Sequence, residues 1–237
     1  MKIWLPSVVV PVLVVAAVVS VRHAVADQMI SSVNSQLYEA GKVRAATGLE
    51  IADSTWNALE ADAKQAIRLA PSNGHYWNTL ARIYYQPRSI GASPASPDYA
   101  AAYRASTSAV VVQPGSGYLW SSLSFASDQL FVQNQLPGGN AALEQSISRA
   151  AVLGAREPAV LSVVVDLGLA NWPTLGIATK QDVLAAVRHL ALRHKDDVTA
   201  IAARRGALPT VCGEFAAVGE EVCKNIRSDI AARNTSI

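Results

Sequence analysis

Apolar and polar positions along the chain recur mainly with the period of an α-helix. The clearest example is residues 180–194, where one helix face carries Val183, Leu184, Val187, Leu190 and Ala191. Further helices are predicted at residues 196–205 and 214–232. The β-branched runs at residues 110–112 and 163–165 are short and lie inside longer helical patterns. Together these patterns predict an all-α chain.

The N-terminus carries one long apolar segment. Residues 3–21 contain no charged side chain; Lys2 precedes them, and Arg22 and His23 follow them. At about 1.5 Å per residue, a helix of this length reaches about 28 Å, close to the hydrocarbon thickness of a bilayer. The segment therefore predicts a membrane-spanning helix.

Two interpretations of this segment differ in whether it is cleaved. Ala24-Val25-Ala26 is an acceptable signal-peptidase motif, so cleavage after Ala26 is one interpretation. The length of the apolar run, with Arg22 directly after it, favours the other, an uncleaved single-pass anchor. The positive charge of Lys2 and the free amine favours a cytoplasmic N-terminus. Both interpretations place residues 27–237 beyond the membrane.

A residue pattern recurs further along the chain with an offset of 43 residues. The matched pairs are Ala66 with Ala109, Pro71 with Pro114, Trp77 with Trp120 and Leu80 with Leu123. Each alanine is predicted to end a helix on its packed face, and each proline to set the turn that follows. Trp77, Leu80, Ala81 and Tyr84 then fall at i, i+3, i+4 and i+7, which forms one apolar stripe along the next helix.

These residues resemble the tetratricopeptide repeat (TPR), which opens one helix with Trp, Leu, a small residue and Tyr and closes a second with Ala and Pro. One unit matches at Trp77, Leu80, Ala81, Tyr84, Ala102, Ala109 and Pro114, and its neighbours match in part at Ala66, Pro71, Trp120 and Leu123. The family period is about 34 residues, and a Pro-, Gly- and Ser-rich loop at residues 86–97 accommodates the extra ones. A weaker third copy has Ala150 as its closing alanine and Leu161 in place of Trp.

The TPR resemblance covers about residues 50–170. It implies a TPR-like α-α superhelix of helical hairpins whose concave face binds partner proteins. The alternative is an irregular Ala-rich helical bundle. On the TPR interpretation, residues 1–26 form the transmembrane anchor or signal segment, residues 27–175 the repeat region, and residues 176–237 a C-terminal helical cap.

Charge and motifs exclude several function classes. The formal net charge is +2 with no basic stripe, so nucleic acid is not an expected partner. The sequence has no glycine-rich phosphate-binding motif and no four-ligand metal pattern, so no cofactor and no metal are expected. His189 and His194 are five residues apart, which does not form a metal pair on a helix, so they are predicted to be exposed residues on a helix surface. His75 is predicted to lie in the first turn of the helix that carries Trp77. The chain is not expected to be an enzyme.

Asp166 and four tryptophans raise the question of a site. Asp166 lies in an apolar run, so it is either a functional buried acid or a carboxylate that lies at a helix edge or pairs with a neighbouring arginine. Packing between helices accounts for Trp77 and Trp120, whereas Trp56 and Trp172 flank the repeat region and are less explained.

Cys212 and Cys223 are the only cysteines in the chain. An even number beyond a membrane fits a disulfide, and two buried free thiols are the alternative. On one unbroken helix these residues would lie about 16 Å apart along the axis, beyond disulfide reach. A bridge therefore requires the chain to turn back, and Gly213 and Gly219 are the places where it can.

The later part of the chain resembles the VpsP family, whose members are encoded with bacterial exopolysaccharide and exosortase systems. The matching features are Leu-Gly-x-Arg-x-Pro at residues 153–158, Trp172, and the run that ends at Cys212. This resemblance implies an accessory role in exopolysaccharide or cell-envelope assembly at the bacterial inner membrane, with the bulk of the chain in the periplasm.

The expected function is therefore a membrane-anchored scaffold or adaptor that binds partner proteins. One alternative is an accessory subunit of a membrane energy-converting or secretion complex. A second is a small periplasmic enzyme that acts on envelope glycans.

Overall fold

The structure, a computed structural model, describes residues 5–48, 51–90 and 93–214. The chain divides into two compact units, unit 1 at residues 1–113 and unit 2 at residues 114–237. The prediction of a helical chain is confirmed, because the described residues form helices joined by turns, with one short β-hairpin in unit 1.

The elements of unit 1 are α1 (Leu5–Thr47), α2 (Asp53–Leu69), α3 (Gly74–Tyr84), β1 (Arg88–Ile90), β2 (Ser93–Ser96) and α4 (Tyr99–Val112). Asn73 and Asp98 begin α3 and α4 as N-caps, because their side chains accept backbone hydrogen bonds from His75 and Ala101. The core of the unit contains a stripe of α1 residues spaced three or four apart, namely Ala26, Ile30, Val33 and Leu37. This stripe packs with Trp56 and Leu59 of α2 and with Tyr76 and Leu80 of α3.

The hairpin of β1 and β2 lies within the predicted loop at residues 86–97. Its antiparallel register pairs Arg88 with Ser96 and Ile90 with Ser93. Pro94 has no backbone N–H, so it is compatible with a strand that has a neighbour on one side only. The segment that the sequence predicts as an irregular loop therefore has some regular pairing.

The elements of unit 2 are α5 (Gly117–Val132), α6 (Gly139–Leu153), α7 (Pro158–Ala170), a 3₁₀ turn (Trp172–Thr174), α8 (Ile177–Arg204) and α9 (Leu208–Glu214). The largest fully buried side chains of this unit are aliphatic: Leu119, Leu143, Ile147, Val160, Val164, Val165, Val183, Val187 and Leu190. They come from α5, α6, α7 and α8, so these four helices share one core.

Helix α8 contains a break, and a side chain of α6 caps its N-terminus. His194 has non-helical backbone angles, φ −135° and ψ 47°, which divide α8 into two parts. The predicted helices at residues 180–194 and 196–205 correspond to these parts. At the start of α8, the Glu144 carboxylate on α6 accepts hydrogen bonds from the Gly176 N–H at 3.1 Å and the Thr179 hydroxyl at 3.0 Å. The predicted helix at residues 214–232 falls almost wholly outside the described residues.

Candidate functional site

Three turns between helices share one local geometry. The carbonyls of Ala66, Ala109 and Ala150 each accept a hydrogen bond from the backbone N–H four residues later, at 3.0, 3.0 and 2.9 Å. Three residues further on, the next helix begins after an N-cap residue, which is Asn73, Ser116 or Glu157. The N-cap φ and ψ angles are −90° and 104°, −93° and 112°, and −105° and 103°. The turn after Ala150 thus has the same local geometry as the turns after Ala66 and Ala109.

The two tryptophans that are related by the 43-residue offset, Trp77 and Trp120, make the same hydrogen bond. The indole N–H of Trp77 donates to the carbonyl of Pro71 at 3.1 Å, and that of Trp120 donates to the carbonyl of Pro114 at 2.8 Å. Each bond joins the first turn of a helix to the loop that precedes it, and so satisfies a carbonyl that no helix pairs. The role of these tryptophans is to fix the turns.

His189 makes the corresponding contact in the third turn. Leu161 stands where the tryptophan would be, and the carbonyl of Ala155 instead contacts His189 Nδ1 of α8 at 3.2 Å. Because a carbonyl oxygen can only accept, Nδ1 carries the proton in this contact. The sequence predicts His189 to be a plain surface residue and gives no sign of this role, since its partner is 34 positions away.

Most residues of the recurring pattern are buried or lie in turns. Ala66, Ala81, Ala102 and Ala109 are fully buried, and Leu80 and Leu123 are nearly so. Tyr84 is half-buried, and its hydroxyl donates to the Glu60 carboxylate at 2.8 Å. Burial and this hydrogen bond raise the pKa of Tyr84, so its hydroxyl stays protonated. Pro71 and Pro114 occupy turns. These residues are part of the helical framework.

Helix α1 has two halves with opposite surroundings. Between residues 9 and 25 its large apolar side chains are exposed, with Val10, Val12, Leu13, Val15 and Val21 each near 60%. From Ala26 onward, one face of the same helix enters the unit 1 core. Within the described residues, α1 is the one helix long and apolar enough to cross a membrane. The expected boundary at residue 26 lies inside this continuous helix.

An open groove of about 470 Å³ lies beside the break in α8. Its rim carries the cationic side chains Arg156 and Arg193 together with His189 and His194, and its apolar lining includes Leu161 and Leu190. Among the described residues no Asp or Glu lines it, and the nearby Asp197 Oδ2 lies 3.5 Å from His194 Nδ1. Leu192 also lines the groove and is 82% exposed, an unusual position for a leucine. The groove is a cationic surface with an apolar floor.

Asp166 on α7 is held by two arginines from the end of α8. Its Oδ1 accepts from Arg204 Nη2 and from Arg205 Nε, both at 2.9 Å, and its Oδ2 accepts from Arg205 Nη2 at 2.6 Å. Burial would raise the pKa of Asp166, but the hydrogen bonds from Arg205 and Arg204 outweigh it and lower that pKa. Of the two interpretations of Asp166, the structure supports the arginine-paired one. Its ionised form joins α7 to the second part of α8.

The remaining candidates have structural surroundings. His75 lies in the first turn of α3, as expected. Trp56 is buried in the unit 1 core, and the Trp172 ring in unit 2 lies 5.5 Å from Lys180 Nζ. In residues 5–48, 51–90 and 93–214, no group of three His, Cys, Asp or Glu residues could hold a metal ion.

Cys212 is buried on α9, at 2% exposure. Its predicted partner, Cys223, lies outside the described residues, as does Gly219, one of the two turning points considered for the bridge. The disulfide therefore stays a prediction.

Comparison with known proteins adds no family. No protein-family model matches the chain, and no curated protein matches it.

Proposed function

We propose that the chain is a membrane-anchored, TPR-like scaffold that holds partner proteins at the periplasmic face of a bacterial inner membrane. The observation that carries this proposal is helix α1. Its exposed apolar half suits lipid, and its second half is part of the folded core. Cleavage after Ala26 would remove a fully buried core residue. An uncleaved anchor is the form that keeps this core whole.

The three matching turns support the TPR-like part of the proposal. Each joins two helices, and the same alanine, C-cap and N-cap spacing recurs at all three. A chain built from such helix pairs buries its small residues between neighbouring helices and presents side chains along an outer surface. Proteins of this build bind extended segments of partners, which is the scaffold role proposed here.

In unit 2, the groove beside His194 is the surface that we propose contacts a partner protein. Its cationic rim and apolar floor suit a partner segment that combines acidic and apolar side chains. Arg156 and Arg193 are exposed, so replacing them changes the groove without disturbing the core. Trp77 and Trp120, by contrast, fix turns, and replacing them would test folding together with binding.

The anchor is tested on the full-length protein in bacterial membranes. We expect the protein to stay in the membrane after an alkaline carbonate wash, and its intact mass to include residues 1–26. External protease should digest residues 27–237 in spheroplasts and spare them in inverted vesicles. A soluble product that begins at Asp27 would refute the anchor.

Partner binding is tested by affinity capture from solubilised membranes with mass spectrometry. We expect Arg156→Glu/Arg193→Glu to lose specific membrane proteins that the wild type retains. A control with the same charge change, Arg104→Glu/Arg149→Glu, alters two exposed arginines that do not line the groove. The identity of the proteins that the wild type captures distinguishes a role in polysaccharide assembly from one in an energy-converting or secretion complex. A wild type that emerges alone would contradict the scaffold.

A further inference from the structure

The contacts of α1 set the height of the α2–α3 turn along that helix. The Tyr76 hydroxyl at the start of α3 donates to the Asp27 carboxylate, and Arg82 in the last turn of α3 donates to Asn34 Oδ1 at 2.8 Å. Helix α3 therefore runs in the same direction as α1. Helix α2 returns antiparallel to it, and the Arg22 guanidinium reaches the Arg68 carbonyl at the end of α2, at 3.4 Å. The α2–α3 turn, residues 70–73, thus lies level with α1 residues 22–27.

This height coincides with the edge of the predicted membrane span. Residues 22–27 follow directly after the apolar run that ends at Val21. At about 1.5 Å per residue, they lie about 2–9 Å beyond it along the helix axis. The headgroup layer extends about 5–8 Å beyond the hydrocarbon core on each side. The turn therefore falls within the headgroup layer once α1 spans the bilayer.

The side chains at this height suit an anionic interface. Arg22 and Arg68 are exposed, and Trp77 is half-buried with its indole N–H bonded to the turn. Among the described residues of unit 1, the carboxylate level with them is Asp27, which accepts a hydrogen bond from the Tyr76 hydroxyl. The acidic residues of α2, Asp53, Glu60 and Asp62, all precede Arg68, towards the end of α2 that lies away from the turn. Arginine attracts anionic headgroups, and tryptophan is enriched at this depth.

We infer that the α2–α3 turn, with Arg22, Arg68 and Trp77, rests in the headgroup layer and binds anionic phospholipid headgroups of the bilayer that α1 spans. This inference rests on the proposed anchor. It adds that unit 1 is held against the membrane by a second contact.

The test measures depth at two positions on the full-length protein in lipid nanodiscs that contain phosphatidylglycerol. A spin label is attached through an encoded non-natural amino acid, which leaves the cysteines intact, at Ser72 in the turn or at Asn57 near the other end of α2. Both positions are exposed. We expect collisions with a water-soluble nickel chelate to be several-fold less frequent at Ser72 than at Asn57. Equal collision rates at the two positions would overturn the inference.

A charge variant tests the lipid chemistry. Arg68→Gln should raise the nickel accessibility at Ser72 in phosphatidylglycerol discs and leave it unchanged in phosphatidylcholine discs. The matched control is Lys64→Gln, one turn further from the membrane, where Lys64 pairs with Glu60. An equal effect of Arg68→Gln in both lipids would overturn headgroup binding. Failure of the protein to enter nanodiscs at all would instead refute the anchor, so the two failures are distinguishable.

Discussion

At the scale of single residues, two glycines set how closely the start of α5 approaches the turn between α6 and α7. A Cβ atom on Gly117 would lie 2.4 Å from the backbone nitrogen of Gly154 and 2.5 Å from its Cα. Backbone atoms cannot move aside as a flexible side chain can, so a methyl group at this position forces the elements apart. The sequence near Gly117 predicts only a turn between helices and does not reveal this contact.

We expect Gly117→Ala to lower the free energy of unfolding by about 2 kcal/mol, the order found for overpacked sites. Gly115→Ala is the control two residues away, because a Cβ there meets no atom within 4 Å. Urea unfolding followed by circular dichroism measures both. Equal stability of the two variants would show that the backbone around Gly117 and Gly154 shifts to accommodate the added methyl group.

The indole hydrogen bond of Trp120 gives a second prediction at this scale. Trp120→Phe keeps an aromatic ring but removes the donor to the Pro114 carbonyl, 2.8 Å away. We expect a loss of about 1 kcal/mol, the usual net value of such a bond. Trp172→Phe is the matched control, since Trp172 is also half-buried and its indole makes no hydrogen bond to the described residues. A similar loss in both variants would trace the effect to ring size.

Local patterns account for much of what could be predicted from sequence about single residues. Alanine, proline and tryptophan act within a few positions of one another, so their shared offset predicts the turns. His189 and Arg205 act on partners 34 and 39 positions away, and helical periodicity carries no information about such distant pairs. The groove and the Asp166 partners were therefore visible only in the folded chain.

At the scale of elements, the long helices are the most predictable from sequence, and the short elements that connect or follow them are the least predictable. Periodicity predicts the helices at residues 180–194 and 196–205 separately, and His194 does divide α8. It predicts neither the hairpin at residues 88–96 nor α9. Both are short, so they contain too few residues to establish a period.

The ion pair between α7 and α8 should contribute stability in a pH-dependent way. Asp166→Asn removes a charge held by Arg204 and Arg205, and we expect a loss of about 1–2 kcal/mol at pH 7. Because the pKa of Asp166 is lowered on folding from its ordinary value of 3.8, its contribution is present above that value. The contribution disappears as the pH falls through the lower pKa of the folded state.

Urea unfolding at pH 7, 5 and 3 measures this dependence. The difference between wild type and Asp166→Asn should be equal at pH 7 and 5 and smaller at pH 3. Asp62→Asn, which changes an exposed carboxylate in unit 1, should make little difference at any of these values. A difference that is as large at pH 3 as at pH 7 would mean that the ionised carboxylate is not what stabilises the pair.

At the scale of the whole molecule, the repeat pattern and the compact units divide the chain differently. The repeat relates residues on both sides of position 113, whereas the contacts within the chain separate there into units 1 and 2. In a repeat protein, stability comes from each repeat together with its immediate neighbours. A group of neighbouring helices that closes its own core can then fold without the rest. Unit 2 is such a group, because α5 to α8 all contribute to one buried aliphatic cluster.

We therefore expect a fragment of residues 114–237 to fold alone, with a cooperative urea transition followed by the fluorescence of Trp120 and Trp172. Its length is typical of an independent domain. The matched control is a fragment of residues 133–237, which lacks α5. It therefore lacks the fully buried core residue Leu119 and the close contact of Gly117 with Gly154. This shorter fragment should show helical circular dichroism without a cooperative transition, since the apolar faces that α5 covers would be exposed. A non-cooperative 114–237 fragment would mean that unit 2 depends on unit 1 to fold.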